Sequence, residues 1–256
     1  MTPLLQCPFC RNEIDSEAER CDRCGKPFRD HTGRLDFAPD IVRGRGLSQR
    51  FMESPIISRI YERTFRPLFT RLGSRTAYGD EEKWLRAYFQ PAPGPVLDLA
   101  CGTGRYTRLL RQLTDPDTKV IGLDLSRPML DQAQAVEDRD PMGIVYLRGN
   151  ALRLPFADHS LGGVHCFGAM HLFPNAELAV AEIGRCLAPG GCFTLMTAVQ
   201  VDSIPRRLLQ LLFSKIASFR FFAVPEVRPM LRERGLHVTA WEVKGMLLML
   251  AATREA

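Results

Sequence analysis

The sequence contains no apolar run long enough to cross a bilayer. Its longest apolar stretches, such as residues 246–252, fall far short of the roughly 20 residues that a membrane-spanning helix needs. Cys7 and Cys10 lie in the region where a secretory signal peptide would carry its hydrophobic segment. We therefore expect neither a transmembrane segment nor a signal peptide, and a cytoplasmic location is the default expectation.

The sequence also lacks a strong overall excess of charge, since its formal net charge is only +5 at pH 7. Positive charge is instead concentrated in residues 43–75, where eight arginines accompany two glutamates. A helix predicted from Ser54 onward places Arg59, Arg63 and Arg66 on one face. A solvated helix face is the ordinary interpretation of such a row, and an RNA-binding surface is the alternative.

The length and composition of the chain suit a single α/β core with a small appendage. It has 256 residues, of which 45% are hydrophobic and 25% are charged. Four of its eight cysteines show no regular spacing and are expected to be small core residues. These are Cys101, Cys166, Cys186 and Cys192.

The other four cysteines form two Cys-x-x-Cys pairs. Cys7 and Cys10 make the first pair, and Cys21 and Cys24 make the second after an interval of ten residues. This spacing is typical of a zinc ribbon, in which each pair directs two thiolates at one tetrahedral metal; free thiols or a redox pair are the alternatives. Four protein ligands leave no position for water, so we expect a structural Zn²⁺ that supplies folding free energy.

An apolar segment that leads into a loop of small residues is the clearest sign of a ligand site. Residues 96–104 read Val-Leu-Asp-Leu-Ala-Cys-Gly-Thr-Gly, and such a loop lets a ligand contact the backbone. A second apolar run, residues 120–123, ends at Asp124, where an acid can bind both hydroxyls of a ribose. Thr107 replaces the third glycine of the dinucleotide fingerprint. The pattern therefore predicts a nucleoside-containing cofactor and disfavours NAD.

Strands and helices are predicted to alternate from residue 95 onward. We expect strands near 95–99, 119–124, 144–148, 162–168 and 192–198, and helices near 104–113, 127–137 and 175–187. Two further strand-like runs, 237–243 and 246–252, are joined by two residues, which allows only a hairpin. The sheet should therefore be mostly parallel and end in an antiparallel strand.

Five features, taken in order, resemble the class I S-adenosylmethionine-dependent methyltransferases, especially the small type 11 enzymes, over residues 90–256. They are residues 96–104, Asp124, Gly149-Asn150-Ala151, Leu154-Pro155-Phe156 and Leu187-Ala188-Pro189-Gly190-Gly191. The resemblance implies a Rossmann-like sheet in an α/β domain over residues 91–256. A zinc ribbon over residues 1–32 and a linker with lid helices over residues 33–90 would precede this domain.

The resemblance also implies S-adenosylmethionine as cofactor and assigns residues to its site. These are Asp98, Ala100, Gly102, Gly104, Asp124, Leu125, Met129, Asn150, Ala151, Leu152 and Phe167. Asp98 would orient the glycine loop, Asp124 would bind the ribose, and Leu125 and Met129 would flank the adenine. Asn150 stands where an aspartate is common and would accept a hydrogen bond from the adenine amino group.

The methyl acceptor is predicted from the residues around the cofactor site. His171 follows the fourth strand, where many members of the family place a histidine beside the acceptor, and is the candidate base. An apolar insertion at about residues 201–230 is expected to form a lid. These features favour a small, lipophilic metabolite as the acceptor.

Two alternatives remain open at the level of sequence. A ribbon before such a domain is similar to the guanine methyltransferases of ribosomal RNA, and the basic segment at residues 43–75 suits RNA. A zinc-bearing, nucleoside-binding regulator without catalytic activity is the second alternative. The pattern also resembles a family of bacterial and plastid methyltransferases, which implies no particular substrate. Nothing in the sequence indicates the oligomeric state.

Overall fold

A computed structural model describes residues 4–15, 17–30, 33–38, 80–201, 210, 214 and 219–255. The helices of this part are α1 (Asp80–Tyr88), α2 (Arg105–Leu113), α3 (Arg127–Arg139), α4 (Ala176–Cys186) and α5 (Val224–Arg232), with a 3-10 turn at Met170–Leu172. The strands are β1 (Val96–Leu99), β2 (Val120–Asp124), β3 (Val145–Arg148), β4 (Leu161–Phe167), β5 (Leu187–Ala198), β6 (Leu236–Lys244) and β7 (Leu247–Arg254). Among these helices, none has the length and apolar character needed to cross a membrane.

The strands of the described residues form one sheet in the order β3-β2-β1-β4-β5-β7-β6. Strands β1 to β5 pair in parallel, whereas β7 runs antiparallel to both β5 and β6. The predicted mostly parallel sheet with a terminal antiparallel hairpin is therefore confirmed. The chain proceeds from β1 outward to β3 and then returns to β4. The strand order thus switches between β1 and β4, which is where doubly wound sheets bind ligands.

Burial explains why the sequence pattern located the central strands. Every residue of β1 and β4 is buried, so both strands appear in the sequence as nearly continuous apolar runs. Strand β6 lies at the edge of the sheet and alternates between partly buried and exposed residues. Strand β5 starts at Leu187 rather than at the predicted residue 192, because Leu187 already pairs with Leu161 ahead of a bulge.

Two consecutive glycines in β4, Gly162 and Gly163, lie against the chain that leads into β1. A Cβ atom at Gly162 would overlap the carbonyl oxygen of Ala92, and one at Gly163 would lie 3.0 Å from the ring of Phe89. The Ala92 N–H also donates a hydrogen bond to the Gly162 oxygen at 3.0 Å. The chain that leads into β1 therefore packs against β4 at Gly162 and Gly163 and leaves no room for a side chain at either position.

Replacing Gly162 with alanine is expected to lower the free energy of unfolding by about 2–4 kcal/mol, since a backbone carbonyl must move. Urea denaturation measures the change. Gly143→Ala is the matched control, because Gly143 has a φ of 75° but no heavy atom within 4 Å of an added Cβ. It should cost only about 1 kcal/mol. Equal losses in the two variants would contradict the proposed close approach.

The N-terminal residues pack along the edge of the sheet beside β3. Residues 4–6 pair with residues 155–157 through backbone hydrogen bonds. The Phe37 N–H donates to the Arg148 oxygen at 2.8 Å, and the Arg148 N–H donates to the Leu35 oxygen at 3.1 Å. The cysteine-bearing segment is therefore docked on the α/β domain at two places.

Several predicted features lie outside the described residues. These include the helix predicted from Ser54, the arginines of residues 43–75 and half of the insertion at residues 201–230. Gln210, within the insertion predicted to form a lid, is described. It is 5% exposed and its Nε2 donates to the Val199 oxygen at 3.0 Å. This side chain therefore holds the segment that follows β5.

Candidate functional site

The loops that follow the parallel strands lie side by side at one edge of the sheet. The strand order places the loop after β1 between those after β2 and β4. The loop after β3 lies beyond that of β2, and the end of β5 lies beyond that of β4. Most of the predicted cofactor residues therefore lie on the β1 to β3 side, whereas Phe167 and His171 lie on the β4 side.

The loop after β1 has backbone conformations that favour glycine. The φ angles of Gly102 and Gly104 are 56° and 82°, and that of Ala100 is 59°. A Cβ at Gly102 would have no heavy atom within 4 Å, so this side of the loop is open. Asp124 Oδ2 accepts the Gly102 N–H and its Oδ1 accepts the Ser126 N–H, each at 2.8 Å. The Asp124 carboxylate therefore holds the loops after β1 and β2 together.

The electrostatics of Asp124 suit a group that receives hydroxyl donors. Burial raises the pKa of its carboxyl group, although the N–H groups of Ser126 and Gly102 oppose this rise. A carboxylate offers about four lone-pair positions, and the two N–H bonds at 2.8 Å do not fill them. Asp124 can therefore bind a pair of hydroxyl groups while it holds the glycine loop.

Asp98 lies beneath the loop and has a partner that the sequence pattern did not predict. Asp98 is 2% exposed and accepts the hydroxyl proton of Thr107 at 2.6 Å. Thr107 is the residue that replaces the third glycine of the dinucleotide fingerprint. That replacement was the only sign of its role. The hydroxyl of Thr107 connects β1 to α2 at the base of the loop.

The loop after β3 is held beside the loop after β2. The Gly149 N–H donates to the backbone oxygen of Asp124 at 3.0 Å. Asn150 Oδ1 accepts the Leu152 N–H at 3.0 Å, so this side chain closes a tight turn around Ala151. Ala151 and Leu152 are half-buried against the main core. Asn150 and Asp124 thus flank the same end of β2 and β3.

Three further predicted residues differ in their exposure. Leu125 is half-buried in the loop after β2, whereas Met129 in α3 is only 1% exposed. Phe167 at the end of β4 is 7% exposed and its ring packs against Trp84 and Tyr106. Direct cofactor contacts by Met129 and Phe167 therefore remain predictions.

His171 lies in the 3-10 turn after β4, on the opposite side of the glycine loop from Asp124. Its Nδ1 is 3.5 Å from Thr197 Oγ1, and its ring centroid is 4.2 Å from that of Phe219. The Phe219 ring is in turn 4.7 Å from that of Phe221. Burial lowers the pKa of His171 to about 3, so its imidazole is neutral at physiological pH.

The lowered pKa of His171 predicts a loss of stability in acid. The unfolded chain protonates His171 below about pH 6.5, whereas the folded chain resists protonation until about pH 3. The neutral imidazole of His171 therefore makes its full contribution to the free energy of unfolding above about pH 6.5, and this contribution is lost as the pH falls toward 3. Urea denaturation measures the free energy of unfolding at pH 7 and pH 5. Its decrease between these two values should be roughly 2 kcal/mol smaller in His171→Asn than in the wild type. An identical drop in both proteins would contradict this assignment.

The four N-terminal cysteines form one cluster in the structure. The Sγ atoms of Cys7 and Cys24 are 3.6 Å apart, and those of Cys10 and Cys21 are 3.5 Å apart. All four sulfur atoms lie within 4.8 Å of one another. A tetrahedral zinc with Zn–S bonds of about 2.3 Å requires S–S separations of about 3.8 Å. The donor set and its spacing therefore fit a structural zinc ion.

Comparisons with known proteins agree with this geometry. A family described as a methyltransferase domain matches residues 96–191. A chloroplastic uncharacterized methyltransferase of Arabidopsis thaliana is 29% identical over 98% of this chain and 79% of its own length. The demethylmenaquinone methyltransferase of Lactiplantibacillus plantarum is 32% identical over 62% of this chain and 71% of its own length. The crystal structure of a Bacillus halodurans protein, titled a putative methyltransferase, shares the fold with 19% identity and a TM-score of 0.60, over 70% of this chain and all of that one.

The fold and the loops at its carboxyl edge define a Rossmann-like domain that binds a nucleoside-containing cofactor. With these relatives, the chain belongs to the class I S-adenosylmethionine-dependent methyltransferases. It is an enzyme that uses S-adenosylmethionine as its methyl donor. The cysteine cluster adds an N-terminal module to that domain.

Proposed function

We propose that the protein transfers the methyl group of S-adenosylmethionine to a small, lipophilic acceptor, and that this acceptor is a reduced quinone. The observation that carries the proposal is the aromatic wall formed by His171, Phe219 and Phe221 at the carboxyl ends of β4 and β5. Their ring centroids are 4.2 and 4.7 Å apart, and both phenylalanines are half-buried. A flat apolar ring can pack against such a wall.

The cofactor is proposed to lie across the loops after β1, β2 and β3. Asp124 would accept the two ribose hydroxyls, since its oxygens retain acceptor capacity beyond Gly102 and Ser126. The open side of Gly102 would lie against the methionine portion. Asn150 would bind the adenine amino group, with Leu125 and Met129 beside the adenine ring. Ala151, Leu152 and Phe167 would complete the walls of this pocket.

The proposed class of acceptor follows from chemistry and from a relative. The L. plantarum relative is named as acting on demethylmenaquinone, which is a quinone. A sulfonium methyl group is an electrophile, so the acceptor must be electron-rich. A quinone ring is itself electron-poor, whereas its two-electron-reduced hydroquinone is electron-rich. The hydroquinone is therefore the proposed substrate, and it loses one proton as it gains the methyl group.

His171 is assigned to the binding of this acceptor. A general base is most effective when its pKa is near the working pH, and burial lowers the pKa of His171 to about 3. The neutral ring instead contacts Phe219 and extends the aromatic wall. Transfer needs mainly alignment of the nucleophile with the S–CH₃ bond and exclusion of water, so a dedicated base is not required.

The experiment uses the full-length protein, labelled S-adenosylmethionine and a naphthoquinone with an isoprenoid tail, supplied reduced or oxidised. Label should enter the reduced compound only. His171→Asn should raise the KM for the acceptor by about 10-fold or more and lower kcat by less than that factor. His159→Asn is the matched control, because His159 is exposed and precedes β4, whereas His171 follows the opposite end of that strand. A loss of kcat by about 100-fold with an unchanged KM would show that His171 is instead the base.

RNA serves as the competing acceptor in the same assay. None of the relatives described above is named as acting on RNA, and the basic segment at residues 43–75 lies outside the described residues. Label in total RNA and none in the reduced quinone would overturn the proposed function.

A further inference from the structure

The N-terminal module is linked through side chains to both loops that are proposed to hold the adenosine half of the cofactor. We propose that this module positions those loops, so that zinc binding at the cysteines and S-adenosylmethionine binding strengthen each other. Here the N-terminal module means residues 4–38, so far as the structure describes them. The inference rests on the proposed roles of Asp124 and Asn150 and on zinc at the cysteine cluster.

The first connection runs from the module to the loop after β2. Asp36 is 2% exposed, and its two oxygens lie 3.2 and 3.1 Å from Nη1 of Arg148. Arg148 Nε donates to the backbone oxygen of Leu125 at 2.9 Å. Leu125 directly follows Asp124. A buried carboxylate of the module therefore orients the arginine that holds the loop of the ribose acid.

Arg127 provides a second link to the same loop. It is the first residue of α3, and its guanidinium contacts the carboxylates of both Asp30 and Asp36. The distance from Arg127 Nη1 to Asp30 Oδ2 is 2.8 Å, and the Asp30 side chain is only 6% exposed. Solvent ions screen a pair weakly when one partner is buried, and a buried charge that loses its partner is costly. The positions of Asp30 and Asp36 therefore constrain that of Arg127.

The other connection runs from the first cysteine pair to the chain that follows Asn150. Cys7 is fully buried in the same apolar cluster as Leu154 and Phe156. Arg11, next to Cys10, is 2.7 Å from the Glu182 carboxylate.

Glu182 in turn fixes the segment that follows the loop after β3. Its Oε2 accepts the Leu154 N–H at 2.8 Å, and Arg11 Nη1 donates to the Leu154 oxygen at 3.4 Å. Although burial raises the pKa of Glu182, hydrogen bonds from Arg185 and Arg11 bring it below its ordinary value. The Glu182 carboxylate is therefore ionised at neutral pH. Arg11, which follows the first cysteine pair, is connected to both backbone groups of Leu154, directly to its oxygen and through Glu182 to its N–H.

These contacts predict reciprocal coupling. If zinc orders the module and the module orders both loops, zinc must favour cofactor binding, and the cofactor must favour zinc retention by the same factor. Couplings of this kind commonly amount to roughly 5- to 150-fold. Because the reciprocity concerns binding, it can be measured without turnover.

The test follows zinc transfer from the full-length protein to a chromophoric chelator, with and without saturating S-adenosylmethionine. Calorimetry gives the affinity for the cofactor in parallel. At equilibrium with the chelator, we expect the cofactor to raise the zinc affinity of the wild type by about 5-fold or more. Asp36→Asn should retain zinc but bind the cofactor about 10-fold more weakly and lose most of this increase in zinc affinity. Arg11→Gln, at a side chain that is 41% exposed, tests the second connection should Asp36→Asn fail to fold.

Glu137→Gln is the matched control. Glu137 is 7% exposed and accepts hydrogen bonds from Arg108 and from the backbone, but it lies near the other end of α3. This variant should lose stability without changing cofactor affinity or the effect of the cofactor on zinc affinity.

The outcomes separate the inference from the proposed function. Equal zinc affinity with and without bound cofactor, measured by the equilibrium transfer to the chelator, would overturn the coupling and leave the proposed function intact. An absence of zinc from protein purified under reducing conditions would also overturn it. Failure of the zinc-loaded protein to bind S-adenosylmethionine would instead contradict the proposed cofactor site.

Discussion

Replacing Asp124 with alanine is expected to weaken S-adenosylmethionine binding by about 100-fold or more. The change removes two proposed charge-assisted hydrogen bonds to the ribose, each worth about 1.5–3 kcal/mol, and frees the Gly102 N–H that shapes the glycine loop. Calorimetric titration measures the loss. Because burial raises the pKa of Asp124, wild-type affinity should also fall as pH is lowered toward that pKa.

Two variants make the Asp124 experiment specific. Asp124→Asn keeps one acceptor oxygen without charge and should lose only about 10-fold, with a flatter dependence on pH. Asp138→Ala removes an exposed aspartate of α3 that accepts a hydrogen bond from Gln134. This variant should bind S-adenosylmethionine with the affinity of the wild type. Affinity for S-adenosylmethionine within a factor of two in Asp124→Ala, together with binding of NADH, would contradict the cofactor assignment.

Replacing Cys7 with serine is expected to abolish stable zinc binding and lower the melting temperature markedly. Cys7 is fully buried in the apolar cluster that joins the module to the α/β domain. Structural zinc in small cysteine modules contributes on the order of 10 kcal/mol of apparent binding free energy. Elemental analysis of protein purified under reducing conditions should give about one zinc per wild-type chain and almost none in the variant.

Cys192→Ser is the matched control for the cysteine cluster. Cys192 is 4% exposed in β5 and lies outside the four-cysteine cluster. Its replacement should leave the zinc content unchanged, although the loss of a buried thiol lowers stability. Wild-type protein without zinc, or zinc retained in Cys7→Ser, would rule out the tetrahedral site.

The central sheet could be predicted from sequence because its strands are buried on both faces. β1 and β4 appear as apolar runs, and the two-residue link before Met246 allowed only a hairpin. The predicted start of β5 was wrong, because Ala188, Pro189 and the two glycines after them lack the apolar pattern of a strand. Leu187 joins the sheet only through its partner Leu161, which no local pattern reveals.

The sequence predicted those parts of the site whose residues are close together in the chain. It did not predict contacts between residues that only the fold brings together. The paired cysteines are close in the chain, and their cluster is confirmed. Asp36 and Arg148 are separated by 112 residues, so no local sequence pattern indicates their contact. Thr107 and Gln210 have partners only 9 and 11 residues away, Asp98 and Val199, but the partners belong to different elements, so no helix or strand spacing relates them.

The most direct test follows the methyl group itself in extracts of the native cell. The extract is reduced with dithionite, incubated with the full-length protein and labelled S-adenosylmethionine, and then partitioned into lipid, RNA and protein. The label is expected in the lipid fraction, in a compound that migrates with methylated quinones, and it should be absent when the extract is oxidised first. Label found only in RNA or in protein, or equal labelling of reduced and oxidised lipid, would contradict the proposed methyl transfer to a lipophilic hydroquinone.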